Sequence, residues 1–169
     1  MFATNGGSAL PTNNENLDHP KDIPSLNRSF IVGEYSSQPR TVQYVIVMDK
    51  VNWYDAVFYC KARQMDLATV RSEAEHQLMI KLMDQSGIPR VHGTGGVYLG
   101  GSRLESDHGF YWVTDGLSFS DTYTNWARGQ PDNLQGNQQC VHYWFSDISW
   151  NWDDTSCTDT SPLACEYRR

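Results

Sequence analysis

The four cysteines constrain the fold of this chain more than any other feature of its sequence. No two of them have the Cys-x-x-Cys spacing of zinc and redox sites, and no histidine lies near enough to suggest a zinc finger. Four such cysteines predict two disulfides, which persist in an oxidising compartment. Four cysteines allow three pairings, and spacing alone does not choose among them. The cysteines are Cys60, Cys140, Cys157 and Cys165.

Length and charge narrow the class of protein further. At 169 residues, the chain is long enough for one domain with an extension. Its formal net charge of −7 argues against nucleic acid and against a polybasic membrane contact, and is compatible with a cation site. No apolar run is long enough to cross a membrane, and the first residues do not form a signal peptide. We therefore expect a mature secreted, extracellular chain.

The two ends of the chain differ in composition. Residues 1–28 are dominated by Asn, Pro, Asp, Ser and Gly and have no periodicity, which predicts a flexible N-terminal leader. Residues 29–169 carry the apolar patterns of the folded domain. Asn27 begins an Asn-Arg-Ser sequon and is a candidate glycosylation site.

The central segment carries the signals of two helices. Asn52 is a plausible N-cap for a helix from Trp53 to Gln64, in which apolar residues recur at helical spacing. Ser72 is placed to cap a second helix, which Gly87 ends. The later segments are typical of short strands separated by polar loops. The sequence therefore predicts an α+β domain with its helices first.

A polar stretch from Thr124 to Cys140 is the most informative part of the second half. It is rich in Asn, Gln, Asp and Gly, and it concentrates side-chain oxygens in a short span. Two further carboxylates, Asp153 and Asp154, lie just before Cys157. Ca²⁺ takes about six to eight oxygen ligands from carboxylates, amides, backbone carbonyls and water. The stretch therefore predicts a Ca²⁺ site.

Several short motifs, taken in order, make the chain resemble a C-type lectin-like domain over residues 42–168. Each motif is weak alone, but the ordered set is specific. The ordered set of motifs is similar to that of small secreted arthropod lectins. The motifs are WYDAVFYC from Trp53, LATV before the Ser-Glu-Ala-Glu helix start, YLGG from Tyr98 in place of the family's Trp-Ile-Gly-Leu signature, Gln-Pro-Asp from Gln130, and Trp-Asp-Asp-x-x-Cys from Trp152.

The resemblance implies a specific version of the α+β fold. It implies two helices, small antiparallel sheets and a long Ca²⁺-binding loop. It pairs Cys60 with Cys165 and Cys140 with Cys157. A third, N-terminal disulfide is missing, so the domain is of the family's short form. The resemblance also implies a cis peptide bond between Gln130 and Pro131.

The resemblance further implies a binding site in the long loop. The family's ligand positions for one sugar-linked Ca²⁺ ion correspond to Gln130, Asp132, Gln138, Asp153 and Asp154. The first four of these residues would also contact the sugar. The family usually has Glu in place of Gln138 and Asn in place of Asp153, so the two changes offset each other in charge and we expect Ca²⁺ binding to survive. Positions for auxiliary ions carry Arg103, Asn133 and Gln139, which predicts a single ion.

The same motif bears on the choice of sugar. In the family, the order Gln-Pro-Asp is associated with galactose-type sugars. The second ligand pair, Gln138 and Asp153, is inverted as well, and this double inversion would restore a mannose-type arrangement. No aromatic residue among positions 133–135 is available for stacking, which predicts weak monovalent binding strengthened by clustering. We expect a lectin that recognises glycans or pathogen surfaces in innate immunity.

Alternative functions have less support from the sequence. The chain lacks the Gly-x-Ser-x-Gly and His-Glu-x-x-His motifs, and the adjacent Asp153 and Asp154 cannot straddle a glycosidic bond, so we predict no enzyme. His142 lies in a predicted strand and is interpreted as a packed core residue. An acidic loop that binds nothing is the simplest alternative. The strongest alternative function is a lectin-like module that binds a protein partner without sugar.

Overall fold

The computed structural model describes residues 30–37, 40–104 and 109–168. The predicted leader, residues 1–28, and the sequon at Asn27 lie outside the described residues. None of the helices within these ranges is long and apolar enough to cross a bilayer. The elements are β1 (Phe30–Ser37), β2 (Arg40–Val51), α1 (Trp53–Lys61), β3 (Asp66–Leu67), α2 (Glu73–Gln85), β4 (Gly95–Ser102), β5 (Tyr111–Trp112), β6 (Gln138–Ser146), β7 (Ser149–Ser156) and β8 (Ser161–Arg168), with short 3₁₀ turns at Phe119–Asp121 and Leu134–Gly136.

Helix α1 begins at its predicted cap and ends earlier than predicted. The Asn52 side chain accepts a hydrogen bond from the Asp55 N–H, at 2.9 Å. The helix ends at Lys61 rather than at Gln64, because Gln64 adopts a left-handed φ of 58° and the Met65 N–H turns back to the Cys60 carbonyl. The apolar face of the helix therefore stops at Cys60, which is fully buried.

Helix α2 matches the sequence expectation at both ends. The Ser72 hydroxyl accepts a hydrogen bond from the Glu75 N–H, at 3.2 Å. Gly87 follows the helix with a φ of 81°, a left-handed conformation that glycine adopts without steric cost. Met79 and Met83 on the inner face are fully buried in the main hydrophobic core.

The strands form one continuous eight-stranded sheet rather than separate small ones. Its order is β1-β2-β8-β4-β6-β7, with β3 paired to β8 and β5 paired to β4. All pairings are antiparallel except that of β4 with β8, where Tyr98 lies opposite Leu163. This parallel contact joins the two halves of the sheet. The predicted fold class is confirmed, and the strands that we expected in small antiparallel sheets are hydrogen-bonded into one mixed sheet.

Both disulfides have the connectivity that the family resemblance implied. Cys60 on α1 is bonded to Cys165 on β8, with a Cα–Cα distance of 5.5 Å. Cys140 on β6 is bonded to Cys157 after β7, with a Cα–Cα distance of 5.2 Å. The first bond fastens a helix to the sheet, and the second closes the base of the long loop.

Two adjacent glycines in β4 allow close packing against the strand. A Cβ atom on Gly100 would lie 2.6 Å from the Leu67 carbonyl oxygen, and one on Gly101 would lie 2.5 Å from the Phe119 ring. Both distances are shorter than side chains tolerate. Glycine at these positions therefore lets β3 and the aromatic core approach the strand.

An aromatic cluster supports the long loop from below. The buried Trp152 ring contacts Trp112 edge-on, at 5.6 Å between ring centroids, and also packs against Phe119 and Trp126. The backbone of Trp152 receives the loop, because its N–H donates to the Asn125 carbonyl at 2.7 Å and its carbonyl accepts from the Ala127 N–H at 2.8 Å. These bonds place the start of the loop beside the β7 segment that carries the two predicted acidic ligands.

Candidate functional site

The long loop between Ala127 and Gln138 is held at both ends. Its first residues are hydrogen-bonded to β7, and the Cys140–Cys157 disulfide lies at its far end. The peptide bond between Gln130 and Pro131 is cis, as the family resemblance implied. A fixed scaffold of this kind can position polar groups on a loop that has no regular structure.

Asp154 organises the turn that follows the cis proline. This β7 residue is fully buried. Its Oδ1 accepts a hydrogen bond from the Asp132 N–H at 3.0 Å, and its Oδ2 accepts one from the Asn133 N–H at 2.9 Å. Burial raises the pKa of Asp154, and the two backbone N–H donors oppose this rise. The carboxylate therefore fixes the loop backbone directly.

The side chains of Asp132 and Gln138 converge on one backbone donor. The Leu134 N–H donates to Asp132 Oδ1 at 3.0 Å and to Gln138 Oε1 at 2.6 Å. Asn133 completes the turn, because its side-chain oxygen accepts a hydrogen bond from the Gln138 N–H at 3.0 Å. The structure thus brings together three of the five predicted ligands, Asp132, Gln138 and Asp154.

Two buried oxygens of the predicted ligand set are unpaired. Gln130 Oε1 and Asp153 Oδ1 have no hydrogen-bond partner among the described residues. A buried acceptor without a partner is destabilising by about 1–3 kcal/mol, so such atoms are normally satisfied by protein, water or an ion. These two oxygens are therefore suited to accept a ligand that the polypeptide itself does not supply.

Asp153 contacts a histidine on the neighbouring strand β6. Asp153 Oδ2 lies 3.5 Å from His142 Nε2, and the two residues are directly paired across β6 and β7. Both side chains are mostly buried, with exposed fractions of 15% and 13%. Asp153 is thus the one predicted ligand with a titratable partner.

The amino-acid sequence matches a known family over most of its length. Residues 49–167 match the family model of the lectin C-type domain. The chain belongs to the C-type lectin family. The resemblance to small arthropod lectins is confirmed as well, because its relatives include two mosquito C-type lectins.

These relatives and one solved structure cover most of this C-type lectin. It is 30% identical to salivary C-type lectin 2 of Aedes albopictus over 130 residues, which are 75% of this chain and 84% of the relative. It is 32% identical to C-type lectin 16 of Aedes aegypti over 121 residues, which are 68% and 75% of the two chains. The carbohydrate-recognition domain of the human scavenger receptor C-type lectin has a TM-score of 0.64 and 24% identity, and the match covers 80% of this chain and 96% of that domain. The structural likeness supports the fold alone.

Family membership supports a carbohydrate-binding lectin, and C-type lectins typically bind Ca²⁺ and are generally not enzymes. Within residues 30–37, 40–104 and 109–168, no three His, Cys, Asp or Glu side chains come together as a metal-binding group. A Ca²⁺ site in this loop would therefore draw on amide oxygens, such as those of Gln130 and Gln138, as well as on carboxylates. The five predicted ligands all offer side-chain oxygens, which are the atoms that Ca²⁺ prefers. Two of these oxygens are buried acceptors without a partner among the described residues. The residues present fit the ion.

Two contributions to the site were missed in the sequence. His142 was interpreted as a core residue, but it faces Asp153, and counting residues back from the turn between the two strands could have paired them. Asn133 was considered only as a lost auxiliary ligand, but it closes the turn with its side chain and its left-handed φ of 49°. Asparagine tolerates that conformation, which was the available signal.

Proposed function

We propose that this C-type lectin binds one Ca²⁺ ion in the long loop and holds a sugar against it. The observation that carries the proposal is the pair of buried, unpaired acceptors, Gln130 Oε1 and Asp153 Oδ1. They lie on the two segments that Asp154 ties together through the Asp132 and Asn133 N–H groups. The proposed ligands are Gln130, Asp132, Gln138, Asp153 and Asp154.

The chain's own residues have distinct parts in sugar recognition. Bound Ca²⁺ would supply a positive charge that attracts two neighbouring sugar hydroxyls. Carboxylate oxygens accept hydrogen bonds from those hydroxyls and amide N–H groups donate to them, so Asp132 and Asp153 are acceptors while Gln130 and Gln138 can donate. Ligand carboxylates must be deprotonated to bind the ion, so binding should weaken in acid.

The arrangement favours a galactose-type sugar. Gln130 and Asp132 flank the cis proline, in the order that the family associates with galactose. A mannose-type arrangement relies on the second pair, Gln138 and Asp153, but Asp153 Oδ2 faces His142 and leaves only Oδ1 for the site. This contact supports a site that is governed by the first pair. Galactose should therefore compete for the site better than mannose, fucose or glucose.

The structure offers a sharp test of the ion site. In Asp154→Asn, one acceptor oxygen becomes an amide N–H₂ that faces a backbone donor, so Ca²⁺ affinity should fall at least about tenfold and glycan binding should be lost. The control is Asp147→Asn, which removes a carboxylate with 86% of its surface exposed in a turn. Titration calorimetry would measure Ca²⁺ binding, and a glycan array with and without EDTA would measure sugar binding.

The outcomes of this test separate the two candidate functions. Equal glycan retention by wild type and Asp154→Asn would overturn the proposed mechanism. Binding of a protein partner that persists in EDTA, with no glycan bound, would instead favour the protein-interaction module. The control variant should behave as wild type in both assays.

The biological setting follows from the same proposal. One mosquito relative is named as salivary, and both disulfides require an oxidising compartment to persist. These observations support a secreted lectin. We propose that it recognises glycans on pathogen surfaces in innate immunity. Retention of Ca²⁺-loaded protein on intact microbial cells, released by EDTA and by free galactose, would test this role.

A further inference from the structure

A polar groove leads away from the proposed ion site along the closed base of the long loop. Two neighbouring depressions of about 310 Å³ each share Asn137, Ser156 and Thr158 as lining residues. The first reaches Leu134 and Gln138, and so begins at a proposed Ca²⁺ ligand. The second passes over Cys157 and ends against the ring of an exposed tyrosine.

That tyrosine, Tyr54, is an exposed aromatic ring on a rigid support. Its side chain is 46% exposed. It packs edge-on against Trp53, with 5.7 Å between the ring centroids. The Trp53 ring is fixed in turn, because its Nε1–H donates to the Leu99 carbonyl at 2.9 Å and its backbone N–H donates to the Cys157 carbonyl at 3.0 Å. An aromatic ring held in this way loses little entropy when it contacts a ligand.

The floor of the groove is rich in hydroxyl groups. The Ser156 and Thr158 hydroxyls lie 2.9 Å apart, and the Thr158 N–H donates to the Ser156 oxygen. The Asn137 side chain borders both depressions and is exposed. Asp159 is the only charged residue that lines either depression. The groove therefore combines neutral hydrogen-bonding groups with one aromatic face, and its single charge disfavours anionic ligands.

We propose that this groove is a second sugar subsite, in which Tyr54 stacks on the apolar face of a neighbouring monosaccharide of a neutral oligosaccharide. The proposal rests on the proposed function, since the first sugar of the same chain occupies the ion site. A sugar offers an apolar C–H face and a rim of hydroxyls, which match an aromatic ring and a hydroxyl-lined floor. The subsite also supplies the stacking ring that residues 133–135 lack.

The test compares one sugar with a short chain of the same sugar. Methyl galactoside and a linear galactotriose, with the matched mannose pair, would be titrated calorimetrically in Ca²⁺. Wild type should bind the trisaccharide at least about fivefold more tightly than the methyl glycoside, the size expected for one well-placed aromatic contact. Tyr54→Ala should lose this advantage and leave methyl glycoside binding unchanged, while Tyr54→Phe should keep it.

A matched control lies one helical turn away. Phe58 is also an exposed aromatic residue of α1, at 70%, but it does not line the groove, so Phe58→Ala should retain the trisaccharide advantage. An unchanged ratio of the two affinities in Tyr54→Ala would overturn the subsite and leave the ion site standing. Failure of wild type to bind any of the four sugars would overturn the subsite together with the proposed function.

A second measurement locates the contact without mutation. In backbone NMR spectra, the amide signals of Cys157 and Thr158 should shift with the trisaccharide and remain in place with the methyl glycoside. Shifts that stay confined to the Gln130–Asp132 turn with both sugars would contradict the proposal.

Discussion

Two groups of acidic residues in this lectin differ in what balances their charge. Glu75 in the first turn of helix α2 and Glu166 on β8 are both buried. They share the guanidinium of Arg168, which lies 2.9 Å from Glu75 and 3.0 Å from Glu166. Asp132 in the long loop and Asp154 on β7 have only backbone N–H donors, and the ion pairs found within residues 40–104 and 109–168 give them no arginine or lysine. Glu75 and Glu166 therefore have a cation within the protein, whereas Asp132 and Asp154 do not.

This difference separates a structural use of carboxylates from the binding use that we propose. Burial raises the pKa of Glu166 and of Asp154 alike, but Arg168 opposes the rise at Glu166, while the Asn133 and Asp132 N–H groups oppose it at Asp154. The Arg168 guanidinium supplies a positive charge and hydrogen-bond donors to both Glu75 and Glu166. Backbone donors leave the negative charge uncompensated, which suits an external cation.

Removing the internal cation should have the largest effect on stability. In Arg168→Met, Glu75 and Glu166 remain buried without a positive partner, so the free energy of unfolding should fall by about 3 kcal/mol near neutral pH. Denaturant unfolding in EDTA would measure this loss. The loss should shrink in acid, since Glu166 can then be protonated and buried neutral. An equal loss at every pH would show that charge is not the cause.

Replacing an unpaired loop acceptor should have opposite effects with and without the ion. Gln130→Leu removes the buried Oε1, so in EDTA the variant should be as stable as wild type or up to about 1 kcal/mol more stable. In Ca²⁺ it should bind the ion about tenfold more weakly, because one ligand is lost. Calorimetry and denaturant unfolding would give the two values. A clear loss of stability in EDTA would mean that the oxygen has a partner within the protein.

The two helices, one of which carries Glu75, could be predicted from the sequence, but the contacts between distant segments could not. The caps at Asn52 and Ser72 and the helical spacing of apolar residues located both helices, because these signals act over one or two turns. The parallel pairing of Tyr98 with Leu163 joins segments far apart in the sequence, and no local pattern reports it. The same holds for Arg168 and Glu75, which meet only after the sheet forms.

For the loop, the sequence indicated the donor types but not their directions. The resemblance gave five candidate ligand residues. The structure brings three of them together: Asp132 and Gln138 accept from the Leu134 N–H, and Asp154 accepts from the Asp132 N–H. The facing of Asp153 depends on the β6–β7 register, which is regular from the Ser146–Ser149 pair at the turn to the Cys140–Thr155 pair. Counting back from the turn gives the pairing with His142, but the approach of the two side chains required the structure.

A buried histidine between the two regions should make stability depend on pH. His76 Nδ1 lies 2.8 Å from the Tyr143 hydroxyl, and the Asn125 amide lies 3.2 Å from His76 Nε2, at the start of the long loop. Burial lowers the pKa of His76, and Glu73 opposes this only in part. Below the ordinary histidine pKa, the unfolded chain therefore binds a proton that the folded protein excludes, so stability is complete above that value and falls as the pH drops.

The variant His76→Gln should remove this dependence. Wild type should lose on the order of 1 kcal/mol between about pH 7 and pH 5 through this residue, and the variant should lack that part of the slope. Denaturant unfolding of both proteins in EDTA across this range would measure it. Parallel slopes for the two proteins would assign the acid sensitivity to other groups.

An exposed ion pair on helix α2 gives the smallest predicted effect and shows whether burial is what distinguishes Arg168. Arg90 donates to Asp84 from its Nε at 2.7 Å, but the two side chains are 48% and 38% exposed. Water already solvates both charges, so Arg90→Met should change the free energy of unfolding by no more than about 0.5 kcal/mol. The same unfolding assay would compare it with Arg168→Met. If both substitutions lower the free energy of unfolding equally, ion pairing alone would explain the contribution of Arg168 to stability. Burial would then no longer explain the contrast with Asp132 and Asp154.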